Sequence, residues 1–352
     1  MVQKNFILTD MMKTGDHYDL EQFINLHSLP DQTFDMTGEY YTLYNYNLDS
    51  YDRKIAFISR DSVGKMHPSH NPQFLEEFNK RYKLLHNQGF KFIYTSPWES
   101  LENIKEMCVF PKYDSQQMSW TGGVSWFWFY MYRKHLDNRF KLKHDHYDSY
   151  QQKKYDFLYL NKMPRKHRIN LYNKLKQKDV LDNSIYTFTM LDTPIRLEKK
   201  YELPGIDPEH YPRFGKDQDI NELPYIDTVC SIVSETNVND CEVFMTEKIW
   251  KPIMAKHVFI IYGNHLYLNK LKEIGFKTFG DYFDESYDLE QDPVKRIDKI
   301  VSLCKDLKNK NWQEIYLQTK SLRQHNYDTF FNKEKLSLEI NKTLKLFLKF
   351  AD

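Results

Sequence analysis

Apolar residues along the chain come in short blocks, separated by longer stretches spaced at helical intervals. That is the rhythm of strands alternating with helices. Lys54–Ser59 reads as a buried strand ending in Arg60-Asp61. Pro72 then opens a helical pattern, with apolar residues at 74, 75, 78, 82 and 85, that runs to Gly89. Phe90–Thr95 is a second strand, followed by the Pro97-Trp98-Glu99 loop and a short helix near 100–107. Residues 124–136 read as a helix with an aromatic core face, and residues 1 to about 50 as loops and short elements. The polar, poorly periodic stretch Arg139–Lys154 is the linker, and a second series starts directly after it. There Tyr155–Leu160, Ile185–Met190, Thr228–Ser234 and His257–Tyr262 read as strands, with a short one at Lys277–Phe279. Helices are expected from Pro164 to about Lys178, over Thr246–Lys256, on to Gly275, and in two or three segments from Pro293 to the end. Five prolines between 191 and 224 mark a long loop. This alternation predicts an α/β fold with parallel sheets.

A chain of 352 residues has room for two domains, and with 41% apolar and 28% charged residues it can build a core. Fifty basic against 49 acidic side chains leave a net charge of +1, which argues against coating DNA or anionic membrane by bulk electrostatics. A local basic pocket is still allowed. The aromatic share of 16% suits packed cores and stacking surfaces equally, so it selects neither. Cys108, Cys230, Cys241 and Cys304 are scattered, without metal-ligand spacing, and are expected as reduced thiols. Met1–Asp10 lacks the apolar core of a signal peptide, and the most apolar stretch, Val124–Tyr132, falls short of the ~20 residues that span a bilayer. A cytoplasmic protein is the expectation.

Two segments carry candidate chemistry. Asn161-Lys-Met-Pro-Arg-Lys-His-Arg168 follows a strand and opens a helix, with six Lys/Arg and no carboxylate between Arg165 and Lys178. Free N–H groups at a helix start, together with Arg165 and Arg168, suit phosphate or diphosphate. The plain alternative is a solvated basic helix face. In the second segment, Ser234-Glu235-Thr236 precedes Thr246-Glu247-Lys248. Thr246 is a good N-cap, and Glu247 could accept hydrogen bonds from ribose hydroxyls. Lys248 opposes the helix dipole in the first turn, which an anionic ligand would explain. A capped helix with a tolerated Lys is the alternative.

Other candidates are weaker. Asp217-Gln-Asp219 has a D-x-D form but lies in a polar loop, and His144, His146 and Asp148 have no fourth ligand at fixed spacing. The aromatic run Ser125–Tyr132 points all round its helix, as buried core does. No G-x-S-x-G, P-loop or G-x-G-x-x-G occurs, so serine hydrolase and Walker-type NTPase readings have no motif support.

The run Ser234-Glu-Thr, Met245-Thr-Glu-Lys-Ile-Trp-Lys-Pro252 and Val258–Gly263 resembles the donor-binding motif of glycosyltransferases related to the alpha-1,3-fucosyltransferases. With Leu271–Asp281 and Asp284–Asp288 it is similar to phage and bacterial relatives, over roughly residues 155–330. The resemblance implies a GT-B-like architecture of two Rossmann-like domains facing a cleft. Residues 1–150 would form the acceptor side, 151–330 would bind the nucleotide sugar, and 331–352 would be a C-terminal helix. It also implies that Glu247 contacts the ribose, Lys248 the diphosphate and Arg165 or Arg168 a second phosphate, with Glu235 near the donor sugar. Two departures stand out. Ala255-Lys256-His257-Val258 replaces a usual small Gly and Pro, and Thr236-Asn237 replaces a usual Asn-Ser.

The expected activity is transfer of a sugar from a nucleotide-diphosphate sugar to a hydroxyl acceptor, inverting, with no metal and no cofactor beyond that co-substrate. The acceptor would be a carbohydrate or another hydroxyl, a modified DNA base included. For the base, Glu99 is the first choice and Asp61 the second, each following a strand of the N-terminal half. A catalytically silent nucleotide- or glycan-binding module of the same fold is the rival reading.

Overall fold

The structure is a computed structural model. It describes residues 150–201, 222–236 and 245–339, with 238 and 243, and the backbone of five N-terminal strands with isolated helical or turn positions between 87 and 132. The chain divides into two compact units. One comprises Met1–Phe129, Asp240–Glu242 and Lys333–Asp352, the other Tyr130–Asn239 and Val243–Asn332.

The first unit contains a parallel sheet of β1 (Lys4–Asp10), β2 (Thr33–Thr37), β3 (Tyr51–Ser59), β4 (Lys91–Thr95) and β5 (Met118–Trp120), in the order β2-β1-β3-β4-β5. The sequence pattern gives β4 to within one residue and the last six residues of β3, which begins three residues earlier than expected. It misses β1 and β2, whose apolar runs are short and flanked by polar residues, and the three-residue β5. Positions 128, 131 and 132 are helical, with Trp128 and Met131 buried, within the helix expected over 124–136.

The second unit holds β6 (Tyr155–Asn161), β7 (Ser184–Phe188), β8 (Thr228–Ser234) and β9 (Val258–Tyr262), all parallel, in the order β7-β6-β8-β9. Every residue of β8 and β9 is buried, as in a parallel sheet covered on both faces. The helices are α1 (Lys166–Gln177), α2 (Glu222–Asp227), α3 (Glu247–Met254), α4 (Tyr267–Glu273), α5 (Pro293–Lys308), α6 (Trp312–Gln318) and α7 (Lys320–Phe331). Trp250 on α3 packs against Phe276 and against Phe330 on α7, and Phe157 on β6 meets Trp312 edge-on. Strand order reverses between β6 and β8, so the carboxyl ends of these strands form the switch point where open α/β sheets take their ligands.

Two expectations are corrected. The expected loop between 191 and 224 contains the start of α2, with Pro224 inside it. Lys277–Phe279 is not a strand. The Asn326 carboxamide on α7 accepts from Lys277 N at 2.7 Å and donates to Lys277 O at 2.9 Å, while Phe279 N donates to the Glu285 carboxylate at 2.7 Å. Side chains supply what a ladder would have supplied.

Three helices end in the same way. After α1, α3 and α4 the chain turns through a left-handed residue, Asp179, Lys256 and Gly275, at φ of 57°, 48° and 96°. After α3, Lys256 N donates to Ile253 O and His257 N to Pro252 O, the paired bonds of a Schellman motif. Lysine stands where glycine is usual, and Arg323 and Tyr327 support it: Arg323 Nη1 donates to Lys256 O at 2.8 Å, and Lys256 Nζ lies 4.7 Å from the Tyr327 ring centre. This is the structural meaning of the Ala255-Lys256-His257 departure.

Candidate functional site

β6 ends at Asn161, and Lys162–Arg165 carry the chain into α1. Arg165 is the N-cap in extended conformation, with no side-chain cap, and the first turn has no acid. Three basic side chains from this turn reach across the switch point to the backbone just past β8. Arg165 Nη1 donates to Thr236 O at 3.1 Å, and Arg168 Nη2 and His167 Nε2 donate to Glu235 O at 3.1 and 3.0 Å. Arg165 is exposed and Arg168 buried. Burial pushes the His167 imidazole down to about 4 against the pull of its bond to Glu235 O, and the neighbouring Arg168 and Arg165 add to the shift. The ring is therefore neutral near pH 7. Because a carbonyl only accepts, its proton sits on Nε2. It meets Tyr262 edge-on at 5.8 Å.

The start of α3 is built around Glu235, which is fully buried. Its Oε1 accepts from Thr246 N at 3.1 Å and Tyr267 Oη at 2.7 Å; its Oε2 accepts from Thr246 Oγ1 at 2.6 Å and Thr236 N at 3.3 Å. Burial raises its pKa, opposed by Lys248 and the Thr246 hydroxyl. Thr246 caps the helix, its Oγ1 accepting from Lys248 N at 3.3 Å. Glu247 is buried too, which works against ionisation, yet Lys248 and Lys251 outweigh burial and hold its carboxyl below the usual range. Lys248 Nζ donates to Glu247 Oε1 at 2.5 Å and to Thr246 Oγ1 at 3.2 Å, with 27% of its side chain exposed. Its place in the first turn thus has a reason inside the protein: it compensates two carboxylates packed at one helix start.

Backbone on the far side of the site is fixed by one glycine and one arginine. A Cβ on Gly263 would lie 2.3 Å from the Tyr267 ring, so only glycine lets that ring approach and carry its hydroxyl to Glu235. Arg296, buried, donates to the carbonyls of Gly263, Val238, Glu290 and Gln291 at 2.5, 3.3, 2.8 and 3.2 Å. Sequence reasoning missed both roles. Gly263 was legible as the close of the motif, whereas Arg296 sits in an ordinary helical pattern with nothing to mark it.

Arg165, Arg168, Glu235, Thr246, Glu247 and Lys248 all belong to this one region. Arg165, Glu247 and Lys248 retain contact with its surface to differing degrees, while Arg168, Glu235 and Thr246 hold backbone and helix start in place. Asp284–Asp288 serves neighbouring helix ends: Asp288 accepts from Leu268 N and Asn269 N at 3.0 and 3.3 Å, capping α4. Glu99, Asp61, Asp217, Asp219, His144, His146 and Asp148 lie outside the described residues. Among the described residues no group of three His, Cys, Asp or Glu could hold a metal ion, and no helix is long and apolar enough to cross a membrane. Cys230 and Cys304 are buried free thiols.

No protein-family profile and no curated protein matches this chain. Among solved structures, an alpha1,3-fucosyltransferase crystallised with GDP-fucose aligns over 100% of this chain and 91% of its own, at 10% identity and a TM-score of 0.45. A likeness that distant assigns no activity to this chain.

Proposed function

We propose that the protein is a glycosyltransferase that moves a sugar from a nucleotide-diphosphate sugar to a hydroxyl acceptor, with inversion and without a metal. The observation that carries the proposal is the junction at the switch point, where Arg165, His167 and Arg168 grip Glu235 O and Thr236 O. It joins the two segments singled out in the sequence, so one ligand can bridge them at the place where open α/β sheets bind ligands.

In this reading Arg165, the uncapped start of α1 and Lys248 compensate the diphosphate, and Glu247 accepts from ribose hydroxyls. Arg168, Thr246 and Glu235 are positioning residues. The acceptor hydroxyl gives its proton to a carboxylate, Glu99 first and Asp61 second, in the acceptor-side domain proposed for residues 1–150. Its oxygen attacks the anomeric carbon, and the bond from that carbon to the diphosphate oxygen breaks. The nucleoside diphosphate then leaves with its charge balanced by the cationic groups. The acceptor is a carbohydrate hydroxyl or the hydroxyl of a modified DNA base.

Calorimetry and thermal shift against nucleoside diphosphates and nucleotide sugars test the donor site. A ligand at 100 times its Kd stabilises the fold by ~2.7 kcal/mol. No response to any of them would reject the donor site. Binding without turnover on any hydroxyl acceptor would leave a silent nucleotide-binding module. Turnover is expected to persist in excess chelator; loss restored by manganese or magnesium would overturn the metal-free mechanism and bring Asp217 and Asp219 back.

A further inference from the structure

Next to the basic rim lies a row of buried polar atoms that the diphosphate reading leaves unused. In the pairing of β6 with β8, Phe157 stands beside Cys230 and Leu158 beside Ser231. Continued to the strand ends, that register sets Asn161 beside Ser234, and Ser234 in turn pairs with Tyr262. All three side chains fall on the face of Tyr159, because strand residues alternate. This face is covered by α1, since the Tyr159 hydroxyl donates to Arg168 O at 3.2 Å. Asn161 is 6% exposed and Ser234 3%. Yet Asn161 Oδ1, Asn161 Nδ2 and Ser234 Oγ make no hydrogen bond of acceptable geometry among the described residues.

Both side chains act on the Tyr159 phenol as hydrogen-bond donors, opposing the rise that burial imposes on its pKa. Its proton is committed to Arg168 O, so it has only lone pairs to offer. Those could serve the Asn161 amide N–H or the Ser234 hydroxyl, but they can give nothing to an acceptor. Whichever way the Asn161 amide is turned, its oxygen still needs a donor. Buried polar atoms left unmatched destabilise a fold, so each calls for a partner, whether a water, an ion or a ligand group. The missing partner must donate, and preferably also accept. A diphosphate near neutral pH does not fit, because its oxygens only accept; a hydroxyl or an amide-type N–H does.

We propose that Asn161 and Ser234 hold the uncharged nucleoside part of the ligand through its hydroxyl or N–H groups, a role that rests on the donor-site reading above. The way in passes His167, which lies against this edge beside Tyr262. Its neutral ring is tied to Glu235 O, so swinging it aside exchanges one uncharged hydrogen bond for those of the ligand.

The test is calorimetry on the full chain, comparing the parent with Asn161→Leu and Ser234→Ala. The ligands are the common nucleoside diphosphates and inorganic pyrophosphate, with Tm measured in parallel. Ser234→Ala is the milder change and keeps the test valid if Asn161→Leu folds poorly. The expected result is a nucleoside diphosphate bound about tenfold or more weakly, pyrophosphate within about twofold of the parent, and a Tm equal to or above the parent's. A lowered Tm with both affinities unchanged would overturn the inference, making these atoms part of the fold's own support. Equal loss for pyrophosphate would overturn it too, because the contact would then be to phosphate. A parent that binds pyrophosphate but gains nothing from the nucleoside defeats this inference alone; one that binds neither defeats the donor site and this inference together.

Discussion

The starts of α1 and α3 both carry basic residues at the cap or in the first turn, but they are built in opposite ways. At α3 the protein fills the helix start itself: Glu235 takes Thr246 N and the Thr246 hydroxyl, and Glu247 takes Lys248. At α1 the N-cap side chain makes no cap, the first turn has no acid, and the basic groups reach for carbonyls. At α3 a carboxylate partner offsets the lysine's charge directly, and at α1 no acid stands in the first turn to do so. Electrostatic attraction for an anion therefore belongs mainly to α1, and Lys248 is a cation shared between its own carboxylates and any ligand.

The contrast breaks most visibly at Glu235. Replacing it with Ala strands four donors in the interior and is expected to cost about 3–5 kcal/mol in a urea unfolding experiment. A loss below ~1 kcal/mol would mean that the α3 start does not depend on its internal carboxylate.

The next largest effect separates the two cations. Arg165→Ala should weaken pyrophosphate binding by roughly tenfold or more with only a small loss of stability from its bond to Thr236 O, since the side chain is exposed. Lys248→Ala should weaken binding less and also lower stability by about 1 kcal/mol, a modest figure because the lysine is partly solvated. Equal affinity losses without any stability change in Lys248→Ala would erase the distinction.

A smaller effect follows from His167. Its folded pKa lies below the ordinary ~6.5, so the unfolded chain takes up the proton first. The stability it protects is complete above that ordinary value and falls as pH drops from there towards about 4. The slope reaches at most ~1.4 kcal/mol per pH unit. Buried His257, also shifted down by desolvation, acts in the same direction, while the raised carboxyls of Glu235, Glu285 and Asp288 act against it. The comparison of parent with His167→Gln between pH 7 and 4.5 isolates this residue, and parallel curves would refute it.

In the second unit, strands β6 to β9 were legible because parallel core strands are continuous apolar runs bounded by turn residues. The first segment was legible as six basic residues at a strand–helix junction, the second as a capped helix start with a lysine set against the dipole. That they meet was not, since it depends on strand order, which no local pattern encodes. Glu235 shows a second limit. Sequence marks a carboxylate as available chemistry, but only three-dimensional packing brings Tyr267, from beyond the next strand, to occupy it. Lys277–Phe279 shows a third: Thr278 and Phe279 suit a strand, but the partner that holds its backbone is a side chain 49 residues further on.

That partner has a consequence for the clock on which the molecule opens. Asn326 holds the Lys277 amide proton from α7, with no strand beside it. In deuterated solvent this proton is lost whenever the contact between the loop and α7 opens, whereas the amides of β8 and β9 wait for the sheet itself to part. Lys277 is thus a built-in reporter on that one contact. Its exchange rate times the opening of the loop against α7 separately from the melting of the core.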